Sequence, residues 1–355
     1  MVNKKWIALL AVSGGVVGLL AAGLTVLGNP ANMGVCVACF LRDTAGALGL
    51  HSAEPVQYIR PEILGFILGA FLLSLARREF KPSGGSSPLL RFFISLFVMI
   101  GALVFLGCPL RMILRLAGGD LNALGGLAGF AAGIALGALM LKKGFSLGRS
   151  YQQSVASGFV MPALALALLA FTLIKPAFIR LSESGPGSMR APALAALAAG
   201  LVIGGLAQVS RMCMAGGFRD LILIKNPSML LVYAAVFAAA LGANLGIGKF
   251  NAGFSGQPIA HSDFLWNFLG MALAGYGSTL LGGCPLRQTI MAGEGSADGA
   301  ICVLGLLAGA AISHNFGLAA SPAGVPLNGQ IACVIGLAVL TGIGLLNSGQ
   351  KGAAA

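Results

Sequence analysis

The chain has 355 residues, of which 57% are hydrophobic and 9% charged. A soluble globular protein carries about 25% charged residues, and no soluble fold can bury this much apolar surface. The formal charge of +12 comes from lysines and arginines scattered between apolar runs, with no basic stripe interleaved with aromatics, which argues against a nucleic-acid partner.

Runs long enough to cross about 30 Å of hydrocarbon recur along the whole chain, so the bilayer is its solvent. Lys4 and Lys5 precede an apolar stretch from Trp6 to about Leu27, too long for the apolar part of a signal peptide and read as a retained first span. Further spans are expected at about 61–76, 89–106, 121–141, 156–175, 191–210, 228–248, 263–283, 297–317 and 327–347. The 61–76 run is short and is read as tilted or as extending back past Pro61, so the count is nine to ten. The 54 glycines lie inside these runs, where small residues let helix backbones approach closely. Ser182 to Pro192, with Gly185, Pro186 and Gly187, has the composition of a linker. It divides the chain into membrane repeats at 1–185 and 186–355.

Sliding one half over the other exposes an internal repeat. Cys36 is followed by Arg42 and Asp43, and Cys213 by Arg219 and Asp220 at the same spacing. Cys108-Pro109-Leu110-Arg111 recurs as Cys284-Pro285-Leu286-Arg287, and the distance from the first motif to the second is 72 residues in one half and 71 in the other. Five spans per half, an odd number, makes the repeats inverted. The lysines and arginines at 4–5, 77–81 and 142–149 place the N-terminus on the cytoplasmic side, although the basic segment 175–190 then falls on the opposite one. The expected fold is an all-α membrane protein of nine to ten transmembrane helices with short re-entrant half-helices, in two inverted repeats.

Proline is favoured at the first helical position, so Pro109 and Pro285 put Cys108 and Cys284 at helix N-caps. Each thiol then lies beside unpaired N–H groups and the positive end of a helix dipole, with Arg111 or Arg287 one turn on, a place that attracts anions. The simpler reading, in which proline and glycine only kink a span, suits one such motif better than a duplicated pair. Cys36-Val37-Ala38-Cys39 has Cys-x-x-Cys spacing, but no second ligand pair follows for zinc and no soluble strand and helix for thioredoxin-type chemistry. Cys36 and Cys213 are therefore expected to open or line re-entrant helices. The pairs Arg42 with Asp43 and Arg219 with Asp220 are read as scaffolding ahead of a place on the ion path. Cys302 and Cys333 are expected to be merely buried. His51, His261 and His314 fall in expected loops without ligand partners, and neither metal nor cofactor is implied.

The two Cys-Pro-Leu-Arg motifs, the segment Cys213-Met214-Ala215-Gly216-Gly217-Phe218-Arg219-Asp220 and the duplicated glycine-rich membrane domain resemble the YeeE/YedE family over nearly the whole chain. The resemblance implies a bacterial inner-membrane transporter, not an enzyme. It would take up a thiosulfate-like anion through thiols that hand the ion on by S–H hydrogen bonds. The relay cysteines would correspond to Cys36, Cys108 and Cys284, with Cys39 an addition to the pattern, so that either Cys36 or Cys39 is the one facing the path. One branch of the family is linked to selenium metabolism, so a selenium analogue is a second candidate substrate, and a cytoplasmic sulfur- or selenium-carrier protein a candidate partner. The alternatives are a sulfur or selenium transferase platform carrying persulfide on Cys108 or Cys284, and a membrane scaffold for cytoplasmic enzymes.

Overall fold

A computed structural model describes residues 4–349; the outer ends of the two expected halves, 1–3 and 350–355, lie outside the described residues. The first half contains α1 (Lys4–Val26), the short α2 (Val37–Ala47), α3 (Pro61–Ala76), α4 (Pro88–Val104), the short α5 (Pro109–Ala117), α6 (Asn122–Lys142) and α7 (Val155–Ile174). One helical turn, α8 (Gly185–Ser188), leads to α9 (Ala193–Val209), the short α10 (Met214–Ile224), α11 (Leu230–Gly246), α12 (Phe264–Leu280), the short α13 (Pro285–Gly293), α14 (Ala297–Asn315) and α15 (Leu327–Leu346). The two-residue strands β1 (Ser83–Gly84) and β2 (Tyr151–Gln152) pair antiparallel and tie two loops together.

Each expected span coincides with one long helix, and each of Cys36, Cys108, Cys213 and Cys284 immediately precedes a short one. Among the described residues nine stretches are long and apolar enough to cross a membrane, three of them being a long helix continued after a break by a short one. The tenth long helix, Leu230–Gly246, is equally apolar but has only 17 residues. Pro61 starts α3, so that helix does not run back continuously beyond the proline; Glu54–Val56 forms a separate 3-10 turn. Proline at the start of α3, α4, α5 and α13 removes an N–H that would have no partner there, and presets the helical φ.

The tightest seams join helices from different halves: α6 with α12, α3 with α9, α1 with α11, and α4 with α14. Their glycines explain the closeness. A Cβ on Gly129 or Gly133 of α6 would overlap the Phe268 or Ala272 carbonyl of α12, and one on Gly305 or Gly309 of α14 would overlap the Phe92 or Leu96 carbonyl of α4. Gly14 and Gly18 of α1 meet the Val232 and Val236 carbonyls of α11, while Gly200 and Gly204 of α9 meet those of Glu62 and Phe66 of α3. Every pair has the small-xxx-small spacing that brings backbones together where lipid offers no hydrophobic drive. Two alanine substitutions should therefore have opposite signs. Gly133→Ala is expected to destabilise by about 1–3 kcal/mol through overpacking, whereas Gly242→Ala in α11, with open space around it, should stabilise by about 0.5–1 kcal/mol. Thermal unfolding of the purified proteins reads both, and a neutral Gly133→Ala would remove backbone contact as the reason for these glycines.

The expected linker is not a loose tether. Ser182 Oγ accepts the Gln57 N–H at 2.7 Å, and Arg60 donates to the Pro186 and Met189 carbonyls at 2.7 and 3.1 Å. The segment is thereby fastened onto the connection between α2 and α3.

Candidate functional site

The breaks that end α4 and α12 are built alike. Leu106 and Gly282, two residues before the respective cysteines, adopt φ of 63° and 78°, which turns the chain out of the helix. Glycine accepts this geometry freely, while a leucine there costs about 1–2 kcal/mol. Cys108 and Cys284 follow in extended conformation, with φ/ψ of −79°/169° and −70°/169°. Cys36 and Cys213, the N-caps of α2 and α10, share φ of −155° with ψ of 109° and 111°. The sequence repeat is thus also a repeat of backbone conformation at all four cysteines.

These cysteines meet in two groups. The Cys36 Sγ accepts the Cys39 N–H at 3.2 Å, lies 2.8 Å from the Cys39 Sγ, and is also within hydrogen-bonding reach of the Cys108 thiol. In the other half Cys213 Sγ accepts the N–H of Gly216 at 3.2 Å and that of Cys284 at 3.4 Å, and its thiol touches the Cys284 thiol. Gly216 occupies the place that Cys39 holds in the first half. The backbone N–H groups of Arg111 and Ala38 face Cys108, and those of Arg287 and Met214 face Cys284. Each Cys-Pro thiol is therefore flanked by two helix N-termini, and all five cysteines are between 0 and 6% exposed. Such a cluster offers soft, weak donors in positive helix-end potential, shielded from water.

The two arginines of the repeated motif end up differently. Arg111 is fully buried; its Nε donates to the Asn32 carbonyl at 3.0 Å, its Nη2 to that of Ile259 at 3.0 Å, and its Nη1 to the Leu106 carbonyl and to Cys39 Sγ, the latter at 3.5 Å. No carboxylate pairs with it among the described residues, so a buried positive charge stands uncompensated beside Cys39. Arg287 instead makes a bidentate pair with Glu294 at 3.0 and 3.1 Å. Arg211 bridges Glu294 to Glu79, which also binds Arg77 and Gln208. The Arg77 guanidinium and the Gln208 amide hold the Glu79 carboxyl below its usual range. Arg111 thus brings an unpaired charge to the thiols, while Arg287, whose charge also reaches Cys213, is paired within an ion-pair network that is partly open to solvent.

The Arg-Asp pairs diverge as well. Asp43 is fully buried and held by Arg42 at 2.7 Å and by Arg60 at 2.8 Å. Arg219 and Asp220 make a 2.8 Å pair that is about 30% exposed. Arg60 was not a candidate from sequence, nor was the buried pair Arg115–Asp120 at 2.6 Å, in which Arg115 also lies over the Phe105 ring. Tyr233 was missed too. It is one of four tyrosines in the chain, and a tyrosine inside an apolar run signals a hydroxyl that needs a partner.

Cys302 and Cys333 are fully buried, away from the two groups. His51 lies with Nε2 3.1 Å from the Arg42 carbonyl, and His261 with Nε2 2.8 Å from that of Val104. Burial pushes both rings down in pKa, which keeps them neutral at pH 7. His314, expected in a loop, is in the last turn of α14, where its ring stacks on His51 at 4.6 Å. Among the described residues no group of three or more His, Cys, Asp or Glu is placed to hold a metal ion.

Comparison with known proteins gives two findings. A family model described as sulphur transport matches residues 209–346. The Thiosulfate transporter TsuA of Escherichia coli (strain K12) is 31% identical over 102 residues, which cover 29% of this chain and 28% of that protein. The matched part spans less than a third of the relative's length.

Proposed function

We propose, from the premise that residues 209–346 carry the sulphur-transport domain of the YeeE/YedE family, that this membrane protein takes up a small sulfur oxyanion of the thiosulfate class. The path runs through Cys36, Cys108, Cys213 and Cys284. The observation that carries this reading is the duplicated placement of a Cys-Pro thiol between two helix N-termini, with the uncompensated Arg111 beside Cys39. A dianion loses strong hydration on entering the membrane, and fixed dipoles and a buried cation offset that loss without the tight charge pairing that would prevent release. Thiols suit the soft sulfane sulfur, and their weak hydrogen bonds let the ion move on.

We read the two halves as inverted repeats, divided near residue 185, with the N-terminus cytoplasmic. The reciprocal packing of α1 on α11 and α9 on α3, and of α6 on α12 and α14 on α4, supports a two-fold relation, and the odd number of spans per half supports the inversion. Arg42, Asp43, Arg219 and Asp220 hold the half-helices, while Pro109 and Pro285 set their starts. The released ion would pass to cytoplasmic sulfur metabolism, where a carrier protein is the natural acceptor.

Uptake of radiolabelled thiosulfate by cells lacking their own transporter, with and without this chain, tests the reading. We expect saturable uptake that depends on expression and is reduced by unlabelled thiosulfate far more than by sulfate. Selenium-dominated uptake in a parallel assay would move the substrate to the selenium analogue. A stable mass increment on Cys108 or Cys284 without net uptake would favour the transferase alternative.

A further inference from the structure

We propose that the Tyr233 hydroxyl is a fixed donor to the transported anion, seating it between Cys108 and Cys284; this deepens the transport reading above and rests on it. Tyr233 lies on α11 and is 3% exposed. Its hydroxyl is buried without a hydrogen-bond partner of proper geometry. An unpaired buried hydroxyl is unfavourable, and phenylalanine would give the same packing without it. The hydroxyl is directed at Cys284, with Cys213 and Cys108 also in its electrostatic reach. One thiol of each Cys-Pro motif thus lies near a single buried O–H whose one near partner, Cys284 Sγ, is a weak acceptor held in poor geometry.

The hydroxyl has no counterpart in the other half. Gly14 and Gly18 meet Val232 and Val236 on α11, as Gly200 and Gly204 meet Glu62 and Phe66 on α3. This register makes Ile63, apolar and buried, the equivalent of Tyr233 in the other half. The four N-cap cysteines are thus duplicated while the hydroxyl is single, and the seat has a hard donor on one side and soft thiols on both. An anion with unlike ends fits that asymmetry: its oxygens accept from Tyr233 and its terminal sulfur lies against the thiols. A symmetric oxyanion such as sulfate accepts from the hydroxyl equally well but presents no soft atom to the thiols.

The test uses the purified full-length protein in lipid nanodiscs, with thermal unfolding measured in the absence and presence of thiosulfate or sulfate, together with cellular uptake. Tyr233→Phe removes only the oxygen, so the ligand-free variant should unfold at the wild-type temperature or above. Its affinity for thiosulfate should fall about tenfold or more, as for the loss of a hydrogen bond to a charged group, with KM for uptake rising in parallel and the preference over sulfate reduced. A variant with wild-type affinity and KM overturns the proposal, as does one that is destabilised when empty yet binds normally. As a check independent of the variant's folding, 3-fluorotyrosine at position 233 should show a fluorine resonance that moves with thiosulfate; an unmoved resonance at saturating ligand overturns the proposal. Wild-type protein that neither binds nor transports thiosulfate overturns the transport reading itself, a result distinct from a wild-type response that Tyr233→Phe leaves intact.

Discussion

Replacing Cys108 and Cys284 together by alanine is expected to abolish uptake of labelled thiosulfate, normalised to protein in the membrane, and either single change should abolish it as well. The reason is geometric. Each thiol stands where two helix N-termini meet, and each touches the cysteine that caps the neighbouring half-helix, so removing one leaves a gap in a chain of donors. Serine keeps size and a donor, but offers a harder and more strongly hydrated group to a soft sulfur atom. Serine at either position should therefore impair uptake severely, by at least tenfold, the scale set by about 1.4 kcal/mol of lost stabilisation. Alanine at Cys302 or Cys333, buried away from both cysteine groups, should leave uptake within about twofold, or about 0.4 kcal/mol. Full activity in the double alanine variant would leave the cysteines as structural punctuation.

A second large effect is expected at Asp43, which should matter far more than its repeat partner Asp220. Asp43→Asn leaves Arg42 and Arg60 buried without their shared counter-charge, a change that costs about 3–5 kcal/mol. The protein should then be lost from the membrane, or unfold at a markedly lower temperature. Asp220→Asn breaks a pair that is about 30% exposed, and pairs of that kind contribute about 0–1 kcal/mol. Quantified membrane abundance and thermal unfolding of the two variants make the comparison. Equal losses would show that the Asp43 network is no more than a local ion pair.

The half-helices were legible in the sequence because their signals are local. A glycine, a cysteine and then a proline at the end of an apolar run mark a break and a new N-terminus wherever they occur. The fate of the two motif arginines could be read only in part. Arg287 has Glu294 two turns on, while the matching place in the first half is Gly118, which leaves Arg111 to find carbonyls from three separate segments. That acid against glycine was visible; the carbonyls of Asn32 and Ile259 were not, since they lie 79 and 148 residues away in the chain. Arg60 and Tyr233 escaped for the same reason. A single polar atom at the edge of an apolar run acquires meaning only from the helix packed opposite it, and helix pairing is not written in the period of one segment.

The interleaving of the two halves bears on how the protein assembles. Helix α1 packs along its glycines on α11, and α3 packs on α9, so α1 cannot complete its seam until about 220 further residues have been made, nor α3 until about 140. Insertion and packing must then be separate events, with the early helices held in lipid as unpaired segments while synthesis continues. Each half on its own would present glycine grooves with no backbone to fill them. Two fragments cut near residue 185 and made together have complementary grooves, and can rebuild the whole by association.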